Sequence, residues 1–214
     1  MMSNEQSDKA SQGGYTAPPP GRLPFMAVLT GGINCINAAS PLLLIVLARN
    51  MGAGEAAIGT IFSIGALGGI LGSLVGGRVQ KRFRFGQVIT GVLWTLALLF
   101  PLYRVAPNII VLGAIAACMW MMAPIYNVVQ FSYRLALIPD ALQGRVNSTF
   151  RLLAFGFQPL GAALSGVLLE YVGTTGAIAC FGGWPLGLAI LTTLNGHVRN
   201  ARPIEEMEAV PTVH

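Results

Sequence analysis

Residues 58–77, IGTIFSIGALGGILGSLVGG, are twenty consecutive residues without a charge, and they decide the fold class of this chain. A helix needs about 20 residues to cross the roughly 30 Å hydrocarbon core of a bilayer, so this segment is long enough for one passage. A basic run follows it at once, with Arg78, Lys81, Arg82 and Arg84. An apolar segment bordered by clustered cations is typical of a membrane-spanning helix and its cytoplasmic loop.

Five other apolar segments have a similar length, so the sequence predicts an all-α, polytopic membrane protein with six transmembrane helices. We place the spans at 25–48, 58–77, 87–104, 109–132, 147–171 and 174–195. They form one transmembrane domain at 25–196. The polar residues 1–24 are predicted to be a disordered cytoplasmic tail, and 197–214 a cytoplasmic C-terminal tail.

The composition excludes several classes of protein. Charged residues make up 10% of the 214 residues and hydrophobic residues 54%, whereas an ordinary soluble domain has about 25% charged residues. A soluble globular enzyme, a disordered protein and a nucleic-acid binder are therefore excluded. Cys35, Cys118 and Cys180 each lie in an apolar run, which predicts buried free thiols rather than a disulfide or a zinc site.

The distribution of basic residues predicts the orientation. Of the 13 Lys and Arg residues, only Arg49 and Arg104 fall on the side that carries the loops after spans one and three. By the positive-inside rule, both termini are predicted to face the cytoplasm.

Two features suggest that the first three spans are related to the last three. Spans one and four each contain a proline, Pro41 and Pro124, and spans two and five are both rich in glycine. This pattern is expected of two related three-helix units.

Span two carries small residues at helical spacing. Gly65, Gly69, Ser73 and Gly77 form one stripe, and Gly68, Gly72 and Gly76 form a second stripe beside it. Small residues at this spacing let two helix backbones approach closely in lipid. Our candidates for helix packing are Gly65, Gly69, Gly72 and Gly76, and the contact is either static or one that slides during transport.

Few polar residues lie at membrane depth, and these are the candidates for a substrate cavity. They are Asn34 and Asn37 in span one, Asn127 and Gln130 in span four, and Arg151 and Gln158 in span five. Such groups usually face a bundle interior or a water-filled cavity. The alternative for the amides is hydrogen bonding between helices, and for Arg151 it is snorkelling to the interface.

The cytoplasmic loops supply candidates for gating, namely Arg78, Arg82, Asp140 and Arg145. Pro139 ends the preceding span, and Asp140 with Gln143 predicts a capped helix start. We expect a short amphipathic segment here at the cytoplasmic surface, with a plain connector as the alternative.

No constellation for catalysis is found in the sequence. It has no phosphate-binding Gly-Lys loop, and its two histidines, His197 and His214, lie in the C-terminal tail without ligand partners. The sequence therefore predicts that the chain is not an enzyme and has no cofactor and no metal.

Residues 134–173, RLALIPDALQGRVNSTFRLLAFGFQPLGAALSGVLLEYVG, resemble the loop and eleventh helix of major facilitator superfamily transporters. The nearest branch is that of bacterial drug and siderophore exporters, the enterobactin-exporter-like and macrolide-efflux-like proteins. The matching positions are Pro139, Asp140, Gly144, Arg145, Val146, Asn147, Ser148, Gln158, Pro159, Leu160 and Gly161. Residues 58–83 resemble the eighth helix of that family and its basic loop.

The resemblance implies the second six-helix half of the major facilitator fold, built from two inverted three-helix repeats. It implies a transporter in the bacterial cytoplasmic membrane that exports a small, fairly apolar or amphipathic compound by alternating access. Its partners would be the lipid bilayer, that small-molecule substrate, and an N-terminal six-helix half or a second copy, with no nucleic acid.

This chain departs from the family in two respects. It has six spans rather than twelve, and Lys81 stands where the acidic residue of the family's loop motif would be. The alternative function is therefore a truncated, non-transporting membrane remnant, or an interaction subunit that needs a partner half or a homodimer.

Overall fold

The structure of the chain, a computed structural model, describes residues 22–137 and 140–194, and the side chains of most residues from 29 onward. These residues form helices α1 (Arg22–Asn50), α2 (Glu55–Arg82), α3 (Phe85–Val105), α4 (Ile109–Leu137), α5 (Asp140–Tyr171) and α6 (Gly173–Leu194). The all-α prediction is confirmed, and each predicted span corresponds to one helix. The predicted tails, apart from 22–24, lie outside the described residues.

Five of the six helices are long and apolar enough to cross a membrane, over the part of the chain that the structure describes. The exception is α5, whose first half carries Asp140, Arg145 and Arg151. Backbone N–H and C=O groups without hydrogen bonds are too costly in hydrocarbon, and a helix forms all of these bonds within itself. The architecture is that of a multi-pass membrane protein.

Local interactions stabilise three of the turns between helices. Phe83 and Arg84 are extended, and the backbone N–H of Arg84 donates to Gln87 Oε1 at 3.1 Å, which starts α3. The Asn108 side chain accepts from the Val111 N–H at 2.9 Å and caps α4. Between α5 and α6, Gly173 has φ +72°. Only glycine adopts this left-handed conformation without a steric penalty, so the chain reverses within two residues.

Three helix pairs supply most of the packing between elements: α2 with α4, α1 with α5, and α3 with α6. α1 and α5 run parallel, because Gly31 faces Phe157, and Cys35 faces Gly161 further along both helices. α3 and α6 run antiparallel: Trp94 Nε1 donates to Thr193 Oγ1 at 3.2 Å near one end, and Arg104 bonds Thr175 near the other. These directions are those of helices that alternate up and down.

The contacts of α1 with α5 repeat in those of α4 with α2 at a constant shift in sequence. The α1–α5 contacts join Gly31 to Phe157, Cys35 to Gly161 and Ala39 to Ser165. The α4–α2 contacts join Gly113 to Ile64, Ala117 to Gly68 and Met121 to Gly72. Every α4 position lies 82 residues after its α1 counterpart, and every α2 position lies 93 before its α5 counterpart. The two helix pairs therefore pack through equivalent positions.

Three local expectations are corrected by the structure. Arg22 to Pro24 were assigned to the tail, but they form the first turn of α1, where proline needs no hydrogen-bonded N–H. The separate amphipathic segment after Pro139 is wrong, because α5 runs unbroken from Asp140 and no proline interrupts it before Pro159. The three thiols are free, but Cys118 and Cys180 are exposed on the bundle surface and Cys35 is half-buried.

Gly173→Ala is expected to lower the free energy of unfolding by about 1–2 kcal/mol, because an L-residue with Cβ is strained in the left-handed conformation. Gly183→Ala is the matched control: a Cβ there meets nothing within 4 Å, and α6 continues through it. Reversible chemical unfolding in micelles measures both. An equal loss in the two variants would contradict the assigned turn.

Candidate functional site

A buried polar cluster joins α1 to α4, and we name its residues Thr30, Tyr126 and Gln130 the α1–α4 polar cluster. Gln130 Nε2 donates to Thr30 Oγ1, and Thr30 Oγ1 lies 3.0 Å from the Tyr126 hydroxyl. All three residues are buried: the exposed fraction is 5% for Thr30, 2% for Tyr126 and 3% for Gln130. Polar groups at membrane depth face the bundle interior and either bridge helices or line a pathway.

A second polar contact joins the same two helices about ten residues further along α1. Trp120 Nε1 donates to Ser40 Oγ at 3.4 Å, and Ser40 is buried. The Tyr103 hydroxyl of α3 is also buried, and it lies near Ser40. α1 and α4 share few close backbone contacts, and these two polar links connect them.

Two predicted cavity residues, Asn34 and Asn37, lie on α1 between the two links. Both are half-buried. Asn34 Nδ2 donates to the Thr30 carbonyl of its own helix at 2.9 Å, and Asn37 makes no hydrogen bond within the described part of the chain. Their remaining amide groups can therefore bond a ligand, which is the chemistry expected of a polar wall in an apolar cavity.

The other predicted cavity residues are more dispersed. Gln158 of α5 is half-buried, one residue beyond Phe157, which packs on Gly31. Asn127 is exposed. Arg151 is exposed as well, and its guanidinium carbon lies 5.8 Å from the Phe155 ring centroid. The structure thus brings Gln130 together with α1, whereas Asn127 and Arg151 lie on the outer surface of the described chain.

The predicted gating residues remain separate. Arg78 and Arg82 are exposed, and Arg78 Nη1 donates to the Leu74 carbonyl of its own helix at 3.4 Å. The side chains of Asp140 and Arg145 lie outside the described residues. Within the described residues the ion pair is Arg49–Glu55, at the other end of the bundle.

The glycine contact of α2 differs from the predicted one at a single position. Gly65, Gly68, Gly72 and Gly76 are buried and face α4. A Cβ on Gly65 would lie 2.8 Å from the Trp120 ring, and one on Gly68 or Gly72 would overlap an α4 carbonyl. Gly69 points away, since a Cβ there meets nothing within 4 Å. The packing role that we predicted for Gly69 is therefore filled by Gly68.

Sequence reasoning missed Thr30 and the hydroxyl of Tyr126. Thr30 lies four residues before Asn34 and so on the same helical face, a signal that could have found it. Tyr126 lies four residues before Gln130, which is the same signal on α4. Both signals are weak because single hydroxyls are common in apolar helices.

No group of three or more His, Cys, Asp and Glu side chains suited to a metal occurs in the described ranges. Comparisons with protein-family models, curated proteins and solved structures find no match to this chain.

Proposed function

We propose that the chain is a membrane transporter, or half of one, that moves a small, fairly apolar or amphipathic compound by alternating access. The observation that carries the proposal is the polar wall along α1 and α4, namely the half-buried amides of Asn34 and Asn37 on α1 beside the buried α1–α4 polar cluster. Buried polar groups in a membrane either bond neighbouring helices or mark a pathway for a substrate. Asn37 is the wall residue with the most unused hydrogen-bonding capacity.

The repeated contacts support a major-facilitator-like half as the framework. Two units that pack through equivalent surfaces are the usual construction of secondary transporters, whose binding sites lie at the interface between repeats. α5 belongs to this framework, because it packs beside α1 just as α2 packs beside α4. We therefore propose six spans, with both termini in the cytoplasm of a bacterial cell.

The exposed faces of α2 and α5 support a partner. The side chains are about half exposed or more at Leu67, Leu71, Leu74, Leu160, Leu164 and Val167. Lipid can cover such faces, but a six-helix unit alone supplies only one wall of a cavity. We propose that an N-terminal six-helix half or a second copy supplies the other. The alternative, a non-transporting subunit, makes use of the same faces.

Efflux of an amphipathic fluorescent dye from reconstituted vesicles tests the proposal. Asn37→Leu is expected to slow efflux about tenfold, because losing the hydrogen bonds to the substrate should cost roughly 1.4 kcal/mol of binding free energy. Thr95→Val is the control, because Thr95 bonds only the Gly91 carbonyl of its own helix, on α3. Equal rates in the two variants would contradict the assigned wall. If the wild-type chain moves no dye, it is not a self-sufficient transporter.

A further inference from the structure

A cavity of about 320 Å³ lies at the end of the bundle where α1 and α3 end and α6 begins. Its polar lining consists of Asn50, Arg104, Thr174 and Thr175, and Leu47 and Ile178 are among its apolar lining residues. This end is opposite the basic connection between α2 and α3. The cavity is separate from the polar wall of α1 and α4, and transport does not explain it.

The polar groups of this cavity present hydrogen-bond donors. Arg104 donates to Thr175 Oγ1, and Asn50 Nδ2 donates to Thr174 Oγ1 at 3.0 Å. Both hydroxyl oxygens act as acceptors in these bonds, so both hydroxyl protons can be donated to a ligand. The remaining guanidinium N–H groups of Arg104 add to the same set.

The cation of this cavity, Arg104, forms no ion pair among the described residues. Arg49, the other cation at this end, pairs with Glu55 at 3.5 Å, whereas no described carboxylate lies within ion-pair distance of Arg104. α6 also begins here at Gly173, and the N-terminal end of a helix carries a partial positive charge. A cation without a paired carboxylate, lying among several hydrogen-bond donors, is the chemistry that binds an oxyanion.

We propose that this cavity binds a phosphate group. The apolar lining residues, together with the exposed Val105, Tyr171 and Val172 near the same helix ends, suit the headgroup of an anionic phospholipid whose chains run along the bundle. Arginine is the residue that matches phosphate geometry, because its planar fork donates two parallel hydrogen bonds. The proposal requires no transport activity, so it stands or falls independently of the proposed function.

Ligand-dependent thermal stability of the full chain in neutral detergent tests the site, with phosphatidylglycerol and inorganic phosphate as separate probes. Binding to the folded state raises the unfolding temperature with ligand concentration. We expect Arg104→Gln to weaken the apparent affinity about tenfold, which is the loss of one charge-assisted contact. Arg49→Gln is the matched control, since it removes a cation from the same end that is already paired. Arg104→Lys should retain part of the affinity.

The outcomes separate the two sources of phosphate. Protection by phosphatidylglycerol alone, lost in Arg104→Gln, supports a lipid headgroup, and protection by inorganic phosphate supports a free anion in the same site. The proposal is overturned if neither probe protects the wild-type protein, or if Arg104→Gln and Arg49→Gln change the affinity equally. Circular dichroism of Arg104→Gln and Arg104→Lys before heating verifies that the variants are folded.

Discussion

Gly68→Ala is expected to lower the free energy of unfolding by about 3 kcal/mol, at the upper end of the usual cost of overpacking. The new methyl group would overlap the carbonyl oxygen of Ala117 on α4. A backbone carbonyl cannot rotate aside as a side chain does, so α2 and α4 must separate. Their contact is the most extensive between any two helices of the described chain, and separating them loses packing along both.

The neighbouring glycine provides the control. Gly69→Ala adds the same methyl group one residue later, where nothing lies within 4 Å. Because alanine favours a helix by about 0.8–1.0 kcal/mol over glycine, this variant is expected to be neutral or more stable. Reversible unfolding in mixed micelles measures both variants. A loss of similar size at both positions would contradict the assigned face of α2.

The same experiment tests the internal repeat. Gly161 of α5 occupies the position that corresponds to Gly68, and a Cβ on it would overlap the carbonyl oxygen of Cys35. Gly161→Ala should therefore cost about as much as Gly68→Ala, again about 3 kcal/mol. Gly156→Ala, in the same helix with open space around it, should cost little.

The helices were predictable because bilayer thickness constrains them strongly. Long uncharged segments such as 58–77 have no other stable location in a chain of this composition. Their ends were less predictable. The basic residues up to Arg82 continue α2 beyond its apolar part, since lysine and arginine are good helix formers and end no helix by themselves.

The choice between glycine stripes could not be made from sequence. Gly68 and Gly69 are adjacent and chemically identical, and a helix rotates only about 100° between them. The partner determines which one is buried, and the partner is set by contacts with α4 that are distant in sequence. The same limit applies to the site. Gln130 was predicted from its polarity in an apolar run, whereas Thr30 is recognised only once the structure shows that it faces Gln130 and Tyr126.

Gln130→Leu is expected to lower the free energy of unfolding by about 1.5 kcal/mol, because it removes an interhelical hydrogen bond from the buried Thr30 hydroxyl, which keeps its contact with Tyr126. Gln130 Nε2 donates to Thr30 Oγ1 between α1 and α4. Leucine has a similar volume and no polar atoms, so loss of the hydrogen bond dominates the effect. Asn127→Leu is the control: Asn127 lies on the same helix but is exposed, and its replacement should change stability by less than about 0.5 kcal/mol.

A double-mutant cycle with Thr30→Val separates the hydrogen bond from general packing. If the two side chains act through their mutual bond, the double variant should be less destabilised than the sum of the single ones. Interhelical hydrogen bonds in a membrane are worth about 0.6 kcal/mol on average and up to about 1.7, and burial of the whole cluster places this pair at the upper end. Additive losses would show that Gln130 stabilises the bundle by shape alone. A measurable coupling would show instead that the α1–α4 polar cluster holds α1 and α4 together through the hydrogen bond itself.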